Sequence, residues 1–222
     1  MNTNTPPDFL EVGRQLRKPE GDFGKVIGNN MNTGNADMHA LAFEILTFKN
    51  GDSVLEIGFG NGKYFPELLK INPEISLTGL DYSQTMCDEA AANNAELIEN
   101  KKLKLVCGDA AEMPFKNRSF DVILTLNTLY FWRAADAQLE EIKRVLKPAG
   151  KMLIGFRPKH IVEALPFTKE GFTTYTQEDV RGLLKNHGFT ILNDELRQTM
   201  TKGFDGSDFP TACVCILAEK IA

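Results

Sequence analysis

The sequence contains no apolar run near the roughly 20 residues needed to cross a bilayer. Its first 20 residues hold no apolar stretch of about 7 to 15 residues, so they do not read as a secretory signal. Only four cysteines occur among 222 residues, without CxxC or Cys/His spacing. A net charge of -5 without a basic stripe disfavours nucleic acid. We therefore expect a cytoplasmic protein with no membrane span, no metal site and no nucleic-acid partner.

From Gly51 onward, short apolar runs alternate with longer segments of helical period. This alternation is typical of repeated β-α units around a parallel sheet. The apolar runs predict seven strands, at 53–57, 76–80, 103–107, 120–126, 151–156, 190–195 and 212–218. The helical segments are 63–71, 84–99, 135–146 and 177–186, with Ser83 and Thr176 as caps for the second and the last. The fold class is therefore α/β, with one domain from 51 to 222.

The first fifty residues differ from the rest of the chain. Glycines at 21, 24, 28 and 34 and several asparagines interrupt any long helix before the segment 36–48. We interpret residues 1–50 as a helical and looped extension of the same domain. Its Asn- and Gly-rich segment 28–35 forms either simple turns or a lid over a ligand. Met31 and Asn32 are the residues to test as lid contacts.

Three glycines follow the first predicted strand, in the segment Val-Leu-Glu-Ile-Gly-Phe-Gly-Asn-Gly at 54–62. Glycine suits a tight turn with positive φ and lets a ligand approach the backbone. The spacing is G-x-G-x-G, one place shorter than the dinucleotide-binding G-x-G-x-x-G. Glu56 would also repel a pyrophosphate, whereas it would not repel a ligand that carries an ammonium and a sulfonium group.

Polar residues follow the next three predicted strands as well. Asp81 closes the second strand about 20 residues after the glycines, where a carboxylate can accept hydrogen bonds from both ribose hydroxyls of a NAD or an adenosyl ligand. Asp109 follows the third strand, and Asn127 follows the fourth. In open α/β sheets, ligands bind at this carboxyl edge of the strands.

With these motifs the chain resembles the class I S-adenosylmethionine-dependent methyltransferases, and among them the small-molecule type that includes the ubiquinone and menaquinone biosynthesis enzymes. The resemblance covers roughly residues 51–220. It implies a Rossmann-like, seven-stranded, mostly parallel sheet with helices on both faces, an antiparallel last strand and an N-terminal helical extension. The matching segments are VLEIGFGNG, LTGLDYS, GDAAEMPF, FDVILTLNTLYFW, RVLKPAGKMLIG and YTQEDVRGLLKNHGF.

The resemblance also implies roles for individual residues toward S-adenosyl-L-methionine. The turn would wrap the methionyl part of this cofactor, with Glu56 setting the turn or meeting the ammonium through water. Asp81 would hold the ribose, and Asn127 would meet the methionyl end. The adenine would contact Tyr82, Met86, Asp109 and Ala110, and the turn itself contributes Gly58, Phe59, Gly60 and Gly62.

Methyl transfer from a sulfonium is an in-line displacement, so alignment and exclusion of water can supply most of the catalysis. A phenol, alcohol or carbon acid would also need a base. Tyr130 and His160 are the candidates by motif position. The acceptor is expected to be a small, partly apolar molecule held by the segment 129–132, with its aromatic residues Tyr130, Phe131 and Trp132, and by Phe23, Met31, Phe167 and Phe172.

Other interpretations stay open at this point. An NAD(P)-dependent oxidoreductase would use the same architecture, but none of the tyrosines at 64, 82, 130 and 175 has the Lys four positions later that such enzymes often carry. A non-catalytic adenosylmethionine-binding module is the second alternative. Met86 can simply fill the core, and the aromatic run 129–132 can simply pack.

Overall fold

The computed structural model describes residues 8–169, 171–202 and 208–221. Within these ranges a seven-stranded sheet carries helices on both faces. The strands are β1 Ser53–Ile57, β2 Ser76–Asp81, β3 Leu103–Cys107, β4 Phe120–Leu126, β5 Leu146–Phe156, β6 Phe189–Lys202 and β7 Asp208–Lys220. The helices are α1 Phe9–Arg17, α2 Gly21–Gly34, α3 Ala36–Ile45, α4 Phe65–Ile71, α5 Gln84–Asn93, α6 Ala95–Glu99, α7 Ala135–Val145, α8 Lys159–Val162 and α9 Gln177–Asn186. Short 3-10 helices lie at Leu129–Phe131 and Pro166–Thr168.

The strand order is β3-β2-β1-β4-β5-β7-β6. Strands β1 to β5 are parallel, and β7 runs antiparallel between β5 and β6. This confirms the predicted mostly parallel sheet with an antiparallel last strand. The chain moves outward from β1 to β3 and then returns to β4 on the other side of β1. Since ligands bind at such a switch point, the carboxyl ends of β1 and β4 are where a site is expected.

Adjacent residues of the central strands face opposite cores. Leu55 and Ile123 pack on one face with α7 and α9, whereas Val54 and Leu124 pack on the other face with α3, α4 and α5. All four side chains are fully buried. Burial on both faces explains why β4 is apolar at nearly every position.

Several predicted boundaries were wrong. The predicted helix 84–99 breaks at Asn94, whose buried side chain donates to the carbonyls of Gly62 and Ala90. The predicted helix 63–71 begins at Phe65, the helix 135–146 ends at Val145, and β5 begins at Leu146. Strands β6 and β7 both extend past the predicted ends because they pair with each other as a long hairpin. The caps Ser83 and Thr176 are confirmed.

The largest correction concerns α2, which is a continuous helix through the segment read as turns. Gly24, Ile27 and Gly28 form its buried stripe. A Cβ on Gly28 would lie 2.9 Å from Sδ of Met86, and one on Gly24 would lie 2.7 Å from the carbonyl carbon of Pro19. Close packing on the domain thus offsets the cost of about 1 kcal/mol that each helical glycine carries.

Candidate functional site

A cavity of about 1060 Å³ lies at the carboxyl ends of the central strands, beneath the N-terminal helices. The structure brings most of the predicted site residues to its wall. Those residues are Gly58, Phe59, Gly60, Asp81, Tyr82, Met86, Asp109, Ala110, Asn127 and Tyr130. Met31, Asn32, Phe167 and Phe172 line it as well, whereas Phe23, which is 43% exposed, is not among the lining residues.

The glycine turn has three residues with positive φ: Gly58 at 76°, Gly60 at 58° and Gly62 at 70°. A Cβ on Gly58 would lie 2.1 Å from Cγ2 of Thr128, so a side chain cannot fit there. A Cβ on Gly60 would meet no atom within 4 Å, which leaves its backbone open to a ligand. Gly62 is not part of the cavity wall, because it packs against Ala90 and Asn94 instead.

The carboxylate of Asp81 connects the second strand to this turn. Its Oδ2 accepts from the backbone N–H of Gly60 at 2.9 Å, and its Oδ1 accepts from the N–H of Ser83 at 2.8 Å. Burial raises the pKa of Asp81 to about 6, although these backbone donors act in the opposite direction. The side chain is therefore fixed in place and changes charge near neutral pH.

Glu56 is buried beneath the turn and is not one of the residues that line the cavity. Burial, followed by the nearby charge of Asp81, raises the pKa of Glu56 to about 8. At neutral pH its protonated form is favoured. The buried position of Glu56 supports a role in setting the glycine turn. The alternative role, a water-mediated contact with the ammonium of the ligand, stays a prediction.

We expect Glu56 and Asp81 to make the protein less stable as the pH rises. A carboxyl group whose pKa is higher in the folded state contributes stability that is present below its unfolded pKa and lost as the pH passes its folded value. For Glu56 this window runs from 4.5 to about 8. The free energy of unfolding should fall by up to about 1.4 kcal/mol per pH unit there, and Glu56→Gln should flatten the fall. Urea unfolding of both proteins across this range measures it; equal slopes would contradict the burial argument.

The other predicted contacts line a second part of the wall. Tyr82 is half exposed, and Nζ of Lys18 lies 4.9 Å from its ring centroid. Met86 is buried below Gly28 of α2, so it both fills the core and borders the cavity. The exposed Asp109 accepts from the N–H of Ala111 at 2.9 Å, which makes it a turn cap as well as a cavity residue.

Asn127 stands just after β4 with a positive φ of 57°. Its Nδ2 donates to Oδ1 of Asn35 at 2.7 Å, and its Oδ1 accepts from the hydroxyl of Tyr130 at 2.9 Å. That hydroxyl in turn accepts from the backbone N–H of Arg157. Burial raises the pKa of Tyr130 well above its usual range. Tyr130 therefore orients Asn127, and its hydroxyl is a poor candidate for a base.

His160, the other predicted base, does not reach the cavity. It is exposed on the short helix α8 and is not among the lining residues. Position along the motif could not reveal this, because residues of one short helix differ in burial: Val162 of α8 is buried and lines the cavity, whereas His160 does not. The predicted aromatic residues do lie at the cavity. The rings of Phe131 and Phe172 pack edge to face with centroids 4.8 Å apart, and Trp132 is buried at the cavity wall.

Sequence reasoning missed an ion pair that holds the N-terminal helices over the cavity. The guanidinium of Arg157, at the end of β5, lies 2.9 Å from Oδ1 of Asp37 in α3, and both side chains are largely buried. The same guanidinium donates to the carbonyl of Gly34 and to Oγ1 of Thr211. The two charged partners are 120 residues apart in sequence, so no local pattern could have paired them.

Sequence reasoning also missed three polar residues in the cavity wall. Asn61 and Gln138 are each 5% exposed, and their Oδ1 and Oε1 atoms have no hydrogen-bond partner within the described ranges. His39 is buried in α3 and lies against Tyr64. A buried carbonyl oxygen without a partner costs about 1–3 kcal/mol, so this wall is suited to a ligand that brings hydrogen-bond donors.

The chain matches known methyltransferases over its central part. A methyltransferase domain family model matches residues 55–154. The uncharacterized methyltransferase YdaC of Bacillus subtilis is 28% identical over 89% of this chain and 99% of its own length. A demethylmenaquinone methyltransferase of Lactobacillus johnsonii is 36% identical over 50% of this chain and 46% of its length. A tRNA (carboxymethyluridine(34)-5-O)-methyltransferase, ALKBH8 of Macaca fascicularis, is 27% identical over 68% of this chain but 22% of its length.

Solved structures share the fold. A SAM-dependent methyltransferase from Aquifex aeolicus superposes with a TM-score of 0.64 at 20% identity, covering 97% of this chain and all of the other. The similarity therefore extends over the N-terminal helices as well as the sheet. No helix within the described part of the chain has both the length and the apolar character for a membrane crossing.

Proposed function

The chain belongs to the class I S-adenosylmethionine-dependent methyltransferases, and we propose that its methyl acceptor is a small, partly apolar molecule bound beneath the N-terminal helices. The observation that carries this proposal is the cavity, which continues from the glycine turn into an aromatic wall. Phe131, Phe167 and Phe172 form a chain of ring contacts there, with centroids 4.8 and 6.5 Å apart. Such a wall suits an apolar ring or chain.

The residues at the turn fit S-adenosylmethionine. The backbone of Gly60 is open, and Asp81 offers a carboxylate for the ribose hydroxyls. The unpartnered Oδ1 of Asn61 is an acceptor for a donor such as the methionyl ammonium. When bound, the cofactor supplies a methyl group on a positively charged sulfur. The carboxylate of Asp81 at the cavity wall favours a cationic ligand over a pyrophosphate.

The protein's own part is to position the acceptor and to exclude water. Asn35 on the N-terminal helices bonds to Asn127, and the hydroxyl of Tyr64 donates to the carbonyl of Asn32 at 2.7 Å. Asn61 donates to Asn29 at 3.1 Å. These bonds join the extension to the ends of β4 and of the glycine turn, so residues 8–45 act as a lid in this proposal.

Replacing Asp81 by Asn should weaken binding of S-adenosylhomocysteine by about 10- to 100-fold, or about 1–3 kcal/mol, because a charged hydrogen-bond acceptor is lost. The wild-type affinity should rise with pH through about 6, where the carboxylate becomes the main form, and the variant should lose this dependence. Calorimetry at several pH values measures both effects. The exposed Asp88→Asn is the matched control, and an unchanged affinity in D81N would refute the ribose assignment.

The acceptor class is tested by measuring S-adenosylhomocysteine formation with phenols and with tRNA, and the cofactor class by measuring NADH binding. We expect turnover of hydroquinones and other phenols with apolar substituents. Turnover of unmodified tRNA alone would overturn the small-molecule proposal, which the net charge of -5 supports. Tight NADH binding without S-adenosylhomocysteine binding would overturn the cofactor fit itself.

The same proposal includes action in the cytoplasm. All four cysteines are free thiols, and three of them are buried. Free thiols are typical of a reducing compartment. Localisation of a tagged protein in intact cells tests this part.

A further inference from the structure

His39 is a titratable side chain to which neither the motifs nor the family resemblance gives a role. It lies in α3, is 7% exposed, and is the histidine of the described chain that lines the cavity. Its ring stacks on Tyr64 with centroids 3.6 Å apart and meets the edge of Phe43 at 5.8 Å. The two aromatic contacts fix the plane of the imidazole.

The hydrogen bonding of the ring identifies its tautomer. Nδ1 lies 2.9 Å from the carbonyl oxygen of Asn35. A carbonyl can only accept, so Nδ1 carries the proton and donates. In the neutral ring Nε2 then holds the lone pair, and among the described residues the ring makes its hydrogen bond through Nδ1 alone.

The ring also has a defined position relative to the predicted methyl-transfer site. Asn35, which accepts from Nδ1, bonds through its side chain to Asn127 at the end of β4. Tyr64, which stacks on the ring, follows the glycine turn and lines the same cavity. His39 thus contacts residues beside the turn and beside Asn127, and it lines the same cavity as the aromatic wall proposed for the acceptor.

From this geometry we propose that Nε2 of His39 is the base that takes the proton from a hydroxyl-bearing methyl acceptor. The O–H bond breaks and its proton passes to Nε2, while an oxygen lone pair forms the new bond to the methyl carbon. The carbon–sulfur bond breaks and its electron pair stays on sulfur. The products are the methyl ether, S-adenosylhomocysteine and an imidazolium, which returns its proton to water. This inference rests on the proposed small-molecule function.

A weak base is sufficient for this step. Burial lowers the pKa of His39 to about 4, so the ring is neutral and ready to accept a proton at physiological pH. An alcohol or phenol oxygen that gains a methyl group becomes an oxonium, whose proton is far more acidic than an ordinary hydroxyl proton. Transfer to an imidazole of low basicity therefore becomes favourable in the transition state, as the new bond forms.

The charged and titratable groups around the ring come from several elements. Against the effect of burial, the hydrogen bond to the Asn35 carbonyl and then the charge of Asp37 raise the pKa of His39, and Asp37 is itself paired with Arg157. Tyr64 faces the ring from the segment before α4. The other titratable groups near α3 are Cys213 and Cys215 of β7, Glu44 of α3 itself, and Arg197 of β6, which pairs with Glu44.

Nitrogen NMR of the imidazole tests the required state of His39 without any acceptor. We expect the neutral Nδ1–H tautomer at pH 7, with protonation of Nε2 only below about pH 5 and an Nε2 resonance that moves when S-adenosylhomocysteine binds. A ring that is protonated at pH 7, or that carries its proton on Nε2, would overturn the proposal.

The variant His39→Asn tests catalysis, because the amide can keep the bond to Asn35 but lacks Nε2. We expect kcat with a phenolic probe to fall by about 10²- to 10⁴-fold, whereas the affinity for S-adenosylhomocysteine should change less than about threefold. The wild-type kcat at saturating S-adenosylmethionine should be flat between about pH 5 and 8, without an inflection near the usual pKa of histidine. His160→Asn, outside the cavity, is the control and should retain full activity.

The outcomes separate this inference from the proposed function. If wild-type protein binds no S-adenosylhomocysteine, the proposed function fails first. If it binds and turns over, but H39N loses affinity while keeping kcat, the ring positions the cofactor and the base role is refuted. Turnover only of acceptors without a proton on the attacked atom, such as thioethers or tertiary amines, would also refute it. A thermal unfolding curve of H39N that matches wild type shows that the fold is retained, and His39→Gln provides a second variant if it does not.

Discussion

Replacing Arg157 by Met is expected to lower the free energy of unfolding by about 3–5 kcal/mol, because the change leaves the carboxylate of Asp37 buried without its partner. The side chains of Arg157 and Asp37 are 10% and 14% exposed, and the guanidinium also satisfies Gly34 and Thr211. Urea unfolding at pH 7 measures the loss.

The same substitution at a surface pair provides the control. Arg197 bonds to Glu44 through two contacts of 2.9 and 2.6 Å, but these side chains are 32% and 60% exposed. Arg197→Met should therefore cost less than about 1 kcal/mol. A double variant with Asp37→Leu should recover part of the stability lost in R157M, since no unpaired charge remains. Equal losses at the two sites would contradict the burial argument.

The second large effect is expected at Gly58. An alanine there would combine a left-handed backbone, which costs about 1–2 kcal/mol, with overpacking against Thr128, which costs about 1–3 kcal/mol. The sum of about 2–5 kcal/mol should appear as a lower free energy of unfolding. The physical reason is the distance of 2.1 Å between the added Cβ and Cγ2 of Thr128.

Two further variants identify which part of this cost is steric. Thr128→Ser removes Cγ2 and keeps the hydroxyl that bonds to Thr125, so adding it to Gly58→Ala should restore part of the stability. Gly60→Ala should cost only the backbone term, because its Cβ meets nothing within 4 Å. It should instead weaken S-adenosylhomocysteine binding, since the new methyl group projects where the ligand approaches. If G58A and G60A destabilise the protein equally, the clash with Thr128 is not the cause.

The predicted pH dependence of unfolding and that of S-adenosylhomocysteine binding have the same cause, the ionisation of carboxyl groups near the glycine turn. Asp81 and Glu56 both have raised pKa values, and a cationic ligand close to them would lower both. Ligand binding should therefore release protons near neutral pH. Ionising Glu56 and Asp81 in the buried site lowers the stability of the free protein as the pH rises. The positive charges of a bound sulfonium and ammonium would offset this same unfavourable ionisation.

The sequence predicted the fold well because its signals there are local. A buried parallel strand such as β4 is a continuous apolar run, and the cap at Ser83 lies next to its own helix. The polar residues Asp81, Asp109 and Asn127 could be recognised because each directly follows a strand, and parallel strands end at one edge. The family resemblance supplied their roles.

The N-terminal helices were harder to predict because their stability comes from contacts with the domain. Four glycines weaken α2 as an isolated helix, and close packing accounts for two of them: Gly28 approaches Met86, and Gly24 approaches Pro19. The hydrogen bond at the carbonyl of Asn32 comes from the hydroxyl of Tyr64, which lies in another element of the chain. In α2, packing against the rest of the protein outweighs the low intrinsic helix propensity of its sequence.

By itself the sequence determined the positions of the strands along the chain, the glycine turn and the polar residues at the strand ends, since each depends on neighbouring residues. Only the tertiary structure decided the chemistry around them. It bonded the hydroxyl of Tyr130 to Asn127 and Arg157, placed His160 in solvent and brought His39 into the cavity. The reason is physical: whether a side chain is free to react depends on burial and on hydrogen-bond partners that are distant in sequence, and no periodic pattern records these.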